Sequence, residues 1–126
     1  MSGRITTHAL DLSSGKPAAG MRVELWAMGL KAAGGHDASA LMNSGGAALL
    51  ADIRLNEDGR CSTPLLEGEL TAGVYELRFH VRSYYGDEAT VFLDLVPVRF
   101  VAGEPDSHYH VPLLLSPGGY STYRGS

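Results

Sequence analysis

Five histidines are the side chains of this 126-residue sequence that titrate near neutrality, and two of them, His108 and His110, flank Tyr109. The stretch reads as a strand, so both imidazoles emerge on one face, with Tyr109, Val111 and Leu113 on the other. An HxH pair on a strand can chelate a metal once a third ligand is present, and His8 or His80 could supply it in space. The same pair can form a polar face against solvent or another subunit, or act as a general acid and base. Residue types and spacing alone leave these three readings open.

Arg60 follows Asp58-Gly59, a strong hairpin signal. There it is either a solvated strand residue or, with the turn facing inward, a guanidinium holding a planar, carbonyl-rich molecule by two parallel hydrogen bonds. Cys61 beside it reads as a half-buried strand cysteine or as an activated thiol. The tail, Tyr120 to Ser126, carries two tyrosines and an arginine, side chains suited to an interface or a pocket wall. The sequence has no Walker loop, no Gly-x-Ser-x-Gly nucleophile elbow and no His-Glu-x-x-His helix.

The elements that must position these groups are short and alternate. Met21, Val23 and Leu25 oppose Arg22 and Glu24, and Tyr75, Leu77, Phe79 and Val81 oppose Glu76, Arg78, His80 and Arg82. Ile5–Leu10, Leu50–Leu55, Val96–Val101 and Tyr109–Leu115 are further strand candidates, separated by stretches rich in Gly, Pro, Ser and Asp. Many short strands with regular turns predict an all-β sandwich. Gly86-Asp87-Glu88-Ala89 reads as the start of a short helix capped by Asp87, and Pro97 sets the following strand at an edge or bulge. Ala27 to Ala51 reads as a long, mobile connection.

Composition bounds the rest. One domain over residues 1–126 leaves roughly 6,500 Å² exposed of about 19,400 Å² in the extended chain, enough burial for a core without staples. With 44% hydrophobic and 19% charged residues the chain is neither disordered nor fibrous. A net charge of −4 without any basic block makes nucleic acid a poor partner. The single cysteine excludes an intramolecular disulfide and a multi-cysteine zinc site. No run approaches the roughly 20 apolar residues of a membrane span. Met1–Leu10 lacks a signal-peptide core and Arg124-Gly125-Ser126 is no peroxisomal address, so a soluble, cytoplasmic protein is expected.

Three segments together resemble a known family. Ile5-Thr6-Thr7-His8-Ala9-Leu10-Asp11 with Gly15-Lys16-Pro17-Ala18-Ala19-Gly20 is similar to the opening of the 5-hydroxyisourate hydrolases, transthyretin-like enzymes of urate breakdown. Asn56-Glu57-Asp58-Gly59-Arg60 resembles their central turn. His108-Tyr109-His110-Val111-Pro112-Leu113-Leu114-Leu115-Ser116-Pro117, with the tail to Ser126, resembles their closing signature, and the final Tyr-Arg-Gly-Ser separates them from hormone-carrying transthyretin. The resemblance implies a transthyretin-like sandwich of two four-stranded sheets with one short helix, assembled as a homotetramer (a dimer of dimers) with sites in the channel between dimers.

By the same resemblance, the activity is hydrolysis of 5-hydroxyisourate to 2-oxo-4-hydroxy-4-carboxy-5-ureidoimidazoline. His8, Arg60, His110 and Ser126 would be catalytic, Tyr123 and Arg124 would bind substrate together with His8 and Arg60, and no cofactor or metal is implied. The alternative is a non-catalytic transthyretin-like carrier of a small apolar molecule, and a metalloenzyme built on His8, His108 and His110 stands third. The Ala27–Ala51 segment exceeds the family's usual connection by roughly a dozen residues, a length more often functional or disordered than neutral.

Overall fold

The computed structural model describes residues 3–30, 46–86 and 90–126. These form β1 (Gly3–Asp11), β2 (Lys16–Pro17), β3 (Arg22–Leu30), β4 (Ala48–Arg54), β5 (Leu66–Gly68), β6 (Gly73–His80), α1 (Val81–Tyr85), β7 (Leu95–Ala102), β8 (His108–Ser116) and β9 (Gly119–Thr122). One sheet runs β2-β1-β8-β9, with β5 sharing the free edge of β1; the other runs β4-β3-β6-β7. Each sheet is thus four strand positions wide, which is the expected sandwich.

Alternation builds the core. Ile5, Ala9, Val111, Leu113 and Leu115 from the first sheet meet Val23, Leu25, Leu77, Phe79 and Val96 from the second, all buried. Each large side chain so enclosed contributes about 1.5–3 kcal/mol. The period of two sends the intervening residues of β1 and β8 outward, and those residues include Thr6, His8, His108 and His110. β1 and β8 pair in parallel, Arg4 opposite His108 and Thr6 opposite His110, so residues a hundred positions apart share one face.

Three expectations are corrected. The helix spans Val81–Tyr85 and ends at Gly86, whose φ of 90° favours glycine, so it does not start at Asp87; residues 87–89 lie outside those described. Val81 is buried as the first residue of that helix, not as the end of a strand, because β6 pairs with β7 only as far as His80 and Leu95. The connection is shorter than 27–51, since β3 extends to Leu30 and β4 begins at Ala48; residues 31–45 lie outside those described. Pro97 does sit on an edge strand, β7.

Asp11 explains the helix position. Its nearly buried carboxylate accepts hydrogen bonds from Tyr85 (2.7 Å), Tyr84 (3.1 Å) and Ser13, pinning α1 to the end of β1. Burial alone would raise this carboxyl, but the donors from Ser13 and the two tyrosines outweigh it and hold it below the usual range. Burial, then the same contact, lifts the Tyr85 phenol to about 12.

Candidate active site

The turn at Asn56–Arg60 delivers the arginine. Asn56 Oδ1 accepts from the amides of Asp58 (2.9 Å) and Arg60 (3.1 Å), and the Asn56 amide donates to the Arg60 carbonyl. Gly59 has φ +70°, and a Cβ there would lie 2.6 Å from the Ala9 carbonyl oxygen, so only glycine lets the turn dock this closely on β1. The turn is not the hairpin expected from Asp58-Gly59. It carries the chain from β4 in one sheet to the edge of β1 in the other, where Arg60 makes a single antiparallel bridge to His8. Cys61 is accordingly half-buried outside any strand, its Sγ 3.5 Å from the Thr7 amide.

From the other side the tail folds back onto β8. After β9 the Gly125 amide donates to the His110 carbonyl at 2.7 Å, and a Cβ on Gly125 would lie 2.5 Å from the His110 ring. That close approach sets Ser126 at the rim of an open cleft of about 290 Å³. Arg4, Thr6, Arg60, His108, His110 and Ser126 line it. His8 stacks on His110 with ring centroids 5.3 Å apart, and its Nδ1 is 3.1 Å from His110 Nε2.

The structure therefore brings His8, Arg60, His110 and Ser126 near one another. Tyr123 and Arg124 do not enter this cleft within one chain. Arg124 lies over the Tyr109 ring at 4.4 Å and donates to the His108 carbonyl, and both residues line a neighbouring groove with Val98–Val101 and Val111. Arg124 is held there by these two contacts, just past the end of β9 at Thr122. His80 is on the second sheet, paired with Glu24 at 2.7 Å, and so cannot complete a metal site with His108 and His110.

Thr6 was missed by sequence reading. Its Oγ1 lies 2.7 Å from His108 Nε2 and 2.8 Å from His110 Nδ1. Its two-residue spacing from His8 on a strand was the available signal, but the parallel pairing that sets it between two histidines was not.

The electrostatics favour uncharged imidazoles. Burial, then the Arg60 guanidinium, lowers His8 below its ordinary pKa. Burial, then His8, His108 and Arg60, lowers His110. Burial, then Arg4 and Arg124, lowers His108. A neutral imidazole beside a guanidinium can take a proton from water while the cation steadies developing negative charge.

With this geometry in hand, the similarities to other proteins acquire meaning. A model of the HIUase/Transthyretin family matches residues 5–125. The chain belongs to that family. It is 48% identical to a 5-hydroxyisourate hydrolase of Halalkalibacterium halodurans, over the full length of both. Among solved structures, the 5-hydroxyisourate hydrolase of Klebsiella pneumoniae matches with TM-score 0.73 and 30% identity, covering 98% of this chain and 94% of that one. The transthyretin of Sparus aurata matches with TM-score 0.74 and 26% identity, covering 97% and 96%. The chain also spans 44% of the (S)-allantoin synthase chain, at 38% identity and TM-score 0.78. Family membership and the polar cleft therefore point the same way.

Proposed function

We propose that this protein hydrolyses 5-hydroxyisourate in urate catabolism, giving 2-oxo-4-hydroxy-4-carboxy-5-ureidoimidazoline. The observation that carries the reading is the convergence of His8, His110, Arg60 and Ser126 on one face, in a chain that matches a hydrolase of that substrate end to end. His8 and His110 form the acid–base pair. One neutral imidazole takes a proton from water as it attacks a ring carbonyl; the adjacent C–N bond then breaks and its nitrogen is protonated by the pair. Arg60 orients the planar substrate and stabilises the oxyanion, and Ser126 donates a hydrogen bond to the substrate's polar edge.

The cleft is open in a single chain, and a homotetramer, as a dimer of dimers, would wall it. In that assembly Tyr123 and Arg124 of the tail contact substrate from the groove beside the cleft. A carrier of apolar molecules is disfavoured, because an apolar ligand would desolvate the Arg4 and Arg60 guanidiniums and the two imidazoles that line the cleft without offering them a partner.

Following the ultraviolet absorbance of freshly generated 5-hydroxyisourate tests the roles. His8→Asn and His110→Asn should each lower kcat by about 10²–10⁴-fold while the variants keep the parent's size by light scattering. Full activity in either folded variant would remove that histidine from the mechanism.

A further inference from the structure

The hydrogen bonds around His110 extend beyond the reacting pair. Starting from the far end, His108 Nε2 meets Thr6 Oγ1 at 2.7 Å, Thr6 Oγ1 meets His110 Nδ1 at 2.8 Å, and His110 Nε2 meets His8 Nδ1 at 3.1 Å. Every member of the series touches the next through a group that can both give and accept a proton. We propose that Thr6 and His108 make this series a proton relay, which lets the His8–His110 pair act as base and then as acid without either ring becoming cationic. The proposal rests on the hydrolase reading and deepens it.

Counting protons shows why. The three rings have six nitrogens, and four are used inside the series, leaving His8 Nε2 and His108 Nδ1 as its two ends. A threonine hydroxyl has one proton and two lone pairs, and it passes a proton along the series when it donates to one histidine and accepts from the other. With all three imidazoles neutral, the arrangements that connect the two ends point in two opposite directions. In one, His8 Nε2 is a free base and His108 Nδ1 carries a proton; in the other these states are exchanged.

Water attack drives the first into the second. Water's proton goes to His8 Nε2, and the oxygen electron pair forms the C–O bond. His8 Nδ1–H passes to His110 Nε2, His110 Nδ1–H to Thr6 Oγ1, Thr6 Oγ1–H to His108 Nε2, and His108 Nδ1–H to solvent. When the C–N bond breaks, its electrons stay on nitrogen, which takes the proton from His8 Nε2. The series then runs back, with His108 Nδ1 regaining a proton from solvent. No proton is created or lost, and no oxidant or reductant is involved.

The surroundings give this route an advantage over a charged pair. An imidazolium at His8 or His110 would stand beside Arg60 and, for His110, between two other histidines. His108 faces Arg4 of β1 and Arg124 of the tail, yet it is the least enclosed of the three, as suits the end that exchanges with solvent. The cleft itself is lined by Thr6 and His108 as well as His110, so the far end opens to water.

Three variants in the intact protein test the relay: Thr6→Val, which keeps the shape and removes the hydroxyl, Thr6→Ser, which keeps the hydroxyl, and His108→Asn. Thr6→Val and His108→Asn should lower kcat at least about tenfold with KM changed less than about twofold, and Thr6→Ser should restore most of the loss. In mixtures of light and heavy water the parent's kcat should follow a curved, multi-proton dependence that becomes linear in Thr6→Val. A Thr6→Val enzyme with parental kcat and a parental isotope curve overturns the relay, as does equal damage from valine and serine with the curve unchanged. Nitrogen-15 spectra of the imidazoles decide independently of turnover. In the parent, His108 and His110 should titrate together, and Thr6→Val should uncouple them; independent titration in the parent overturns the proposal. A parent that fails to speed 5-hydroxyisourate decay would instead defeat the hydrolase reading.

Discussion

His8, His108 and His110 have different depths and partners, but all three are biased toward the neutral imidazole. The sign of the resulting pH dependence follows. As pH falls through 6.5 the unfolded chain protonates these histidines, while the folded protein, with its lowered values, does so less. The unfolded state then binds more protons, so stability falls as pH drops through that window toward the folded values, and it is fully retained above it. Activity that needs neutral imidazoles persists through the same window. The acid limb of kcat/KM should therefore lie below pH 6.5, and a pH–rate profile checks it; a limb at or above 6.5 would contradict the assigned environment. At this scale the sequence made His8, Arg60, His110 and Ser126 legible through motif resemblance. Thr6 was not, because an ordinary strand threonine becomes special only through its partners on β8. Tyr123 and Arg124 were placed in the pocket by resemblance alone; within one chain both line the neighbouring groove, where Arg124 is held by the Tyr109 ring and the His108 carbonyl.

Among the elements, the long alternating strands β1, β3, β6, β7 and β8 could be read directly, since a period of two over several residues is a strong local signal. The short strands β2, β5 and β9 could not, being defined by the partners they pair with. The helix moved for a similar reason. Alternation carries through Val81, and only the contact from Tyr84 and Tyr85 to Asp11, more than seventy positions away, explains why the chain coils there. Asp11→Ala would remove the acceptor of these bonds and leave two tyrosine hydroxyls without it. Hydrogen bonds to a charged group contribute about 1.5–3 kcal/mol each, so thermal or urea unfolding should show a loss of at least about 1.5 kcal/mol. Unchanged stability would mean that α1 is held by its buried Val81 and not by the carboxylate.

For the molecule as a whole, a cleft open to solvent on a sheet face is a natural site for another copy of the chain to cover. The free edges point the same way: Val101 on β7 is 69% exposed, and Tyr120 on β9 and Tyr123 are about half exposed. No helix of the described residues is long and apolar enough to cross a membrane. The site thus depends on three levels at once. Alternation aims the side chains, parallel pairing of distant strands gathers them, and the proposed assembly walls the cleft they line.

The central claim is that this assembled surface directs water to 5-hydroxyisourate. Its most direct test is to generate the compound freshly and follow its decay by circular dichroism, with and without the purified protein. The account predicts faster decay through a single optical enantiomer of the product, because a chiral pocket with fixed imidazoles opens one enantiomer of the substrate faster than the other and leaves its hydroxyl-bearing carbon untouched. Decay at the buffer rate to a racemic product, from a protein confirmed as a tetramer, would contradict it.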